Sequence, residues 1–241
     1  MGKGGEVGGT IEVADTGLEQ AKAYFQKRLG GTPLEAVIET LAANYPRLAA
    51  KVAADQINID RKDMPVIDRR HVAMLRHDLS HGRFSVHPPY DGDLVKLVGD
   101  RKDPPVPERE QMAASPEIAA AWEKSGHRHR DKVPASYKRI AARDLSPIQR
   151  QVYLDKILDR MLALAGKQPE HPKGALKDFL AGATLVTSAG HEIIDGDHRW
   201  GLAMLVEPNT ELRCLAIDLP LTTLLKVSLA FTELIGNQPN K

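Results

Sequence analysis

Residues Ala183 to Leu205 constrain the fold of this chain more than any other stretch. Ala183-Thr184-Leu185-Val186-Thr187 is rich in β-forming residues, Ser188-Ala189-Gly190 supplies a turn, and Glu192-Ile193-Ile194 reads as the returning strand. The apolar run stops at Asp195-Gly196, and the residues through Trp200 to Leu205 have helix-forming composition, with His198 and Arg199 in the first turn. A hairpin that runs straight into a helix N-terminus commits this region to mixed α and β structure. The same layout suits an oxyanion, because backbone N–H groups at a helix start, plus a local guanidinium, can hold one without further machinery.

The rest of the composition sets bounds. A chain of 241 residues, 42% hydrophobic and 27% charged, is long enough for one large domain or a compact domain with an extension. Its net charge of +1 gives no global drive toward nucleic acid, so any such binding needs a local patch. The single cysteine, Cys214, excludes an internal disulfide framework and fits a reducing compartment. No apolar run approaches the roughly 18 residues of a membrane span, and the start Met1-Gly2-Lys3-Gly4-Gly5-Glu6 lacks the apolar core of a secretory signal. The expectation is a cytoplasmic protein with no membrane partner, in the host cytoplasm if phage-encoded.

Periodicity divides the chain into a disordered tail over 1–16, a mainly helical region and linker over 17–132, and a mixed-sheet domain over 133–241. Leu18 to Ala54 is helical in pattern. Thr32-Pro33-Leu34-Glu35 supplies a cap, an early proline and an acid, Leu34, Val37, Ile38 and Leu41 share a face, and Pro46 breaks or restarts the helix. A second helical stretch spans Pro65 to His81, with Val72, Leu75 and Leu79 spaced for burial and Gly82 as its stop. Residues His87 to Pro107 read as a long loop, Pro116 to Lys124 as a short helix, and Gly126 to Lys132 as a charged boundary. From Pro134 the order is β–α–β–β–α–β–α. Tyr137 to Ala142 forms the first strand. Ser146-Pro147-Ile148-Gln149 opens the first helix as a capping box, followed by Val152, Leu154, Ile157, Leu158, Met161 and Leu162. Glu211 to Asp218 is a strand. Leu219-Pro220 opens a last helix with Leu221, Leu224, Leu225, Leu229 and Leu234 facing inward and Gly236 at its end. The fold class is therefore α+β, a small mixed-sheet domain preceded by a mainly helical region.

Gly196-Asp197-His198-Arg199-Trp200-Gly201-Leu202-Ala203 resembles the Gly-Glu-Arg-Arg-Trp-x-x-Ala signature of the ParB/sulfiredoxin superfamily. Asp195 to Arg199 is closer still to the Gly-Gly-Cys-His-Arg of sulfiredoxins and the Asp-Gly-His-His-Arg of free serine kinases. The order strand, capped helix, hairpin, motif helix is also that of the superfamily, and the likeness covers roughly Pro134 to Gly236. A looser likeness to ParB-like proteins of tailed phages extends to Asp60-Arg61-Lys62-Asp63-Met64-Pro65-Val66-Ile67 and Leu145 to Gln149. The resemblance implies a site for ATP or another NTP with Mg²⁺, and phosphoryl transfer or NTP hydrolysis as in an ATP-dependent kinase or NTPase. Asp195, Asp197 and His198 would be catalytic, Gly196, His198 and Arg199 would bind phosphate, and Asp195 would hold Mg²⁺. Sulfinate reduction is not expected, since Asp197 stands where sulfiredoxin has its cysteine. Gln149 stands where the kinases have a catalytic Glu, and an amide cannot accept a substrate proton. Asp155, further along that helix, is the candidate substitute.

Each residue also has a plain structural reading. Asp195 is a good helix cap, Asp197 an acid placed well for the helix dipole, and Trp200 core. Ser146 and Gln149 are more simply a capping box than a site. His77 and His81 have the i, i+4 spacing of metal ligands, with His87 downstream, but lack the Glu of a zinc helix. The basic run between Lys124 and Arg143, with Arg128, Arg130, Lys138 and Arg139, points to DNA as a second partner, against a solvated linker. Two alternatives to the nucleotide enzyme therefore stay open: a nucleic-acid-binding or nuclease-like ParB-type protein, and a phage structural or accessory protein that uses the fold as a scaffold.

Overall fold

The computed structural model describes residues 17–53, 59–67, 69–88, 90, 132–149, 152–182 and 184–236. The expected tail, most of the expected linker, the short helix over Pro116 to Lys124, and Arg128 and Arg130 lie outside them. The described elements are helices and a five-stranded mixed sheet, so the α+β class holds. The strands are β1 (Ala135–Ala141), β2 (Ser146–Pro147), β3 (Thr184–Thr187), β4 (Glu192–Asp195) and β5 (Glu211–Ile217), in spatial order β1-β5-β3-β4-β2. β3 and β4 form the expected antiparallel hairpin, with Val186 opposite Asp195, Thr187 opposite Ile193 and an irregularity between the pairs.

The chain divides into two compact units. One is Met1–Arg61, Arg139–Leu185 and Gly196–Arg213; the other is Lys62–Lys138, Val186–Asp195 and Cys214–Lys241. In the first unit, helices α1 (Leu18–Leu29) and α2 (Ile38–Ala53) pack through Phe25 and Tyr45, whose rings meet edge to face at 6.1 Å. Thr32 Oγ1 accepts the Leu34 N–H at 3.2 Å, and one 3₁₀ turn, Glu35–Val37, leads into α2. α2 continues through Pro46 instead of breaking there. A mid-helix proline costs about 3 kcal/mol. Leu41 and Leu48, wholly buried on either side of it, each contribute about 2 kcal/mol and so offset that loss.

The segment Ser146 to Gln149 is not a helix start. Ser146–Pro147 is strand, Ile148 and Gln149 are buried, and the Ile59 N–H donates to the Ile148 carbonyl at 3.0 Å. Backbone pairing outcompetes the capping box, and helix α4 begins only at Leu154, running to Ala165. Helix α5 (Pro172–Gly182), absent from the predicted order, follows and buries Ala175, Leu176 and Leu180. Helix α6 (Asp197–Val206) then packs on α2, where Asn44 Nδ2 donates to the Leu205 carbonyl at 2.9 Å. It also packs on α4. A Cβ at Gly201 would lie 2.7 Å from Ile157 Cδ1, so the helices approach as closely as glycine permits. Trp200 is wholly buried and donates its indole N–H to the Ala142 carbonyl at 2.8 Å, the core role expected of it.

In the second unit, helix α3 (Arg69–Ser80) starts later than Pro65 but buries Val72, Leu75 and Leu79 as expected, and Gly82 follows at φ 63°. Helix α7 (Leu221–Leu234) lies on β4 and turns Leu221, Leu224, Val227 and Phe231 inward, with Phe231 edge-on to Phe84 at 5.9 Å. Leu225, Leu229 and Leu234 are only partly buried, because the inward stripe follows Val227 and Phe231 instead. Among the described residues, no helix is long and apolar enough to cross a membrane.

Candidate functional site

The turn between β4 and α6 depends on one glycine. Gly196 sits at φ 115°, ψ 15°, and a Cβ there would lie 2.7 Å from Leu185 Cγ. Any larger residue would meet both backbone strain and a clash. The Gly196 carbonyl accepts the N–H groups of Arg199 and Trp200, each at 2.9 Å, which starts the helix. Its N-cap residue, Gly196, offers no side-chain cap. A helix end of this kind has orphan N–H groups and a partial positive charge.

The His198 ring lies parallel to that of Tyr153, 2° between planes and 6.0 Å between centroids. Its Nε2 is enclosed and has no hydrogen-bond partner among the described residues. Tyr153 immediately precedes α4, and Lys156 follows at the i, i+3 spacing that places two side chains side by side. The Lys156 ammonium is 5.1 Å from the Tyr153 ring centre, and the Arg61 guanidinium carbon is 5.3 Å from it. Arg61 opens a 3₁₀ turn, Arg61–Asp63, just after Ile59, whose parallel bridge to Gln149 ties this segment beside the approach to α4.

Two shifts report what this crowding does. His198 is pushed down to about 4, first by burial and then by the charges of Arg61, Lys156 and Arg199. Lys156 is pushed down by burial and by Arg61. Both are changes that disfavour positive charge. At neutral pH the imidazole is therefore uncharged, and Lys156 has no carboxylate partner among the described residues.

The remaining expected residues are placed as follows. Arg199 is half-buried, and its Nη1 donates to the Thr184 carbonyl. Asp197 is 3% exposed in the first turn of α6, where the helix end favours a carboxylate. Asp195 closes β4 and is partly buried. Gln149 is buried on a bridging segment and not on a helix, so it does not occupy a helix-start position for a base. Asp155 accepts the Tyr24 hydroxyl and lies 3.9 Å from Arg28, so α1 has taken up the candidate substitute base. Lys138 and Arg139 are exposed on β1, an edge strand. Cys214 is wholly buried and its thiol is pushed up to about 12 by burial, which makes it inert.

The His77 and His81 rings stack at 4.2 Å; His77 Nδ1 lies 3.4 Å from Asp78 Oδ1, and His81 Nδ1 lies 2.9 Å from the His77 carbonyl. No group of three or more His, Cys, Asp or Glu is arranged to hold a metal among the described residues. Arg61, Tyr153 and Lys156 were not singled out by sequence reasoning. The Tyr153–Lys156 spacing at a helix start was a usable signal; nothing local pointed to Arg61. Comparison with known proteins adds no relative: no family model matches this chain, and neither a curated protein nor a solved structure matches it.

Proposed function

We propose that this chain is a nucleotide-binding protein of ParB/sulfiredoxin type, which receives phosphate groups at the start of α6. The single observation that carries the reading is the approach of Arg61, Lys156 and Arg199 to the partly buried His198 imidazole, whose enclosed Nε2 has no hydrogen-bond partner among the described residues. Each of these cations lowers the basicity of His198, and an oxyanion beside the ring would offset that effect while meeting Nε2. The order of hairpin, glycine turn and motif helix, which prompted the resemblance, supports the same reading.

Phosphoryl transfer asks a protein mainly for positioning and charge neutralisation. Arg199 and the first amides of α6 would fix one phosphate, and Lys156 and Arg61 would neutralise its neighbours. His198, uncharged at neutral pH, has a nitrogen able to accept a proton from an attacking hydroxyl or water. A bound phosphate would raise its basicity by offsetting the three cations. Asp155 is engaged elsewhere, so this imidazole is the proton-handling group of the cluster. Mg²⁺ is the metal that the resemblance brings with the nucleotide. Hard cations prefer carboxylate oxygen, and the charges acting on His198 are all positive; the cluster does not fit a resident divalent ion, and no step here runs through one.

Calorimetry with ATP tests the reading. Lys156→Ala removes an exposed ammonium, so the melting temperature should stay constant while affinity falls about tenfold or more, the worth of one charge-assisted contact. Wild-type affinity in both Lys156→Ala and Arg61→Ala would remove the proposal.

A further inference from the structure

The end of α3 brings two imidazoles face to face. His77 and His81 stand one helical turn apart, and the His81 N–H donates to the His77 carbonyl at 3.1 Å, so the α-helical pattern runs through both. Their rings stack at 4.2 Å between centroids and 20° between planes. Each ring is anchored through the same nitrogen. His77 Nδ1 lies 3.4 Å from Asp78 Oδ1, and His81 Nδ1 lies 2.9 Å from the His77 carbonyl; a carboxylate and a carbonyl both accept. Ser80 Oγ, 3.1 Å from His81 Nδ1, gives its own proton to the His77 carbonyl at 3.2 Å. Each Nδ1 therefore donates, and each neutral ring keeps its lone pair on Nε2. Neither Nε2 has a hydrogen-bond partner among the described residues.

Histidines that ligate metals donate the other ring N–H to a carboxylate or a carbonyl, which fixes the tautomer and makes the ligating nitrogen more basic. Both rings meet that requirement. We propose that His77 and His81 bind one divalent transition ion of the Ni²⁺, Cu²⁺ or Zn²⁺ class through their Nε2 atoms, with water in its remaining positions. Imidazole suits these ions, whereas Mg²⁺ and Ca²⁺ prefer oxygen. Bonds of about 2.1 Å from Nε2 to one ion set the two ring centres roughly 4.5 to 5 Å apart, so the stack opens by less than about 1 Å and loses its parallel alignment. The exposed His81 makes that swing, while Asp78, 1% exposed, holds His77. No third His, Cys, Asp or Glu completes a trio among the described residues. An ion on two nitrogens keeps exchangeable water, which makes this an open site and not a closed structural one. Its direct effect is to clip the end of α3, just before Gly82.

Ni²⁺ titrated by calorimetry into the 241-residue chain, in a buffer that does not chelate, tests this. Two ligands on one helix act at high effective concentration, so wild type should bind at least about tenfold more tightly than either His77→Ala or His81→Ala. His81 is exposed, so His81→Ala should keep the wild-type circular dichroism and melting temperature, which separates lost ligation from lost folding. Ni²⁺ should raise the melting temperature of wild type and not that of His81→Ala. His127 and His129, close together in the sequence, give the control: replacing both with Ala should leave the tight site intact. Wild-type affinity in His81→Ala would overturn the proposal, as would loss of the tight site in the His127 and His129 variant instead. Wild-type binding no tighter than that of the His77→Ala, His81→Ala double variant would overturn it too. The phosphate reading shares no residue with this pair and stands or falls separately.

Discussion

The two sides of helix α4 carry opposite electrostatic designs. Asp155 and Asp159, one turn apart, meet α1: Tyr24 donates to Asp155, and Arg28 pairs with Asp159. Every charge there has a counter-charge or a hydrogen bond. Tyr153 and Lys156, interleaved with those acids, instead meet Arg61 and His198. Two lysines show the contrast. Lys22, 2.6 Å from Glu39, is pushed up by that carboxylate, whereas Lys156 is pushed down by burial and by Arg61. The paired side behaves as structure, complete without a ligand. On the Tyr153 side Lys156 meets an aromatic ring and a neighbouring cation instead, and groups perturbed in this way mark a candidate site.

The largest expected effect tests whether the Tyr153 side depends on the glycine turn. Gly196→Val would place a branched side chain at positive φ and against Leu185, for a loss of about 4 kcal/mol from strain and overpacking together. Chemical denaturation measures it. A loss below about 1 kcal/mol would mean that the turn relaxes and that His198 is not held by this geometry.

How much of this was legible beforehand follows from the range of each interaction. The hairpin, the glycine turn and the start of α6 are local, and their residues announce them. The stripes Val72, Leu75, Leu79 and Leu34, Val37, Ile38, Leu41 are local too, and they are buried as the spacing predicts. Ser146 to Gln149 misled because its capping pattern is a local preference, overridden by pairing with Ile59 from a distant segment. The inward face of α7 was misjudged for a related reason: several leucine spacings were possible, and contact with β4 chose Val227 and Phe231. Within the site, Gly196, His198 and Arg199 could be named from the motif. Arg61 could not, because only tertiary structure brings it to Tyr153.

A smaller effect concerns pH. The folded His198 value, about 4, lies below the usual 6.5 for histidine, so the unfolded chain binds the proton more readily over that interval. Stability from this group is therefore fully present above about pH 6.5 and is lost as pH falls toward about 4. The full difference corresponds to about 3 kcal/mol for a group this buried. Urea unfolding across that window in wild type and His198→Gln isolates it, and Lys156→Ala should flatten the slope by relieving part of the repulsion. An identical slope in His198→Gln would locate the acid sensitivity elsewhere.

The smallest effect belongs to the paired side, and it is the sharper test of the comparison. Asp159 is 63% exposed and its partner Arg28 38% exposed, so solvent screens the pair. Asp159→Asn should cost no more than about 0.5 kcal/mol. It should also leave tripolyphosphate affinity unchanged, because Asp159 offers its charge to α1 and not to the ring of Tyr153. Lys156, three residues before it on the same helix, must behave in the opposite way: little change in stability and a clear change in affinity. If neutralising Asp159 shifts phosphate affinity as much as removing Lys156 does, the two sides share one diffuse field, and the Tyr153 cluster loses its claim to be a discrete site.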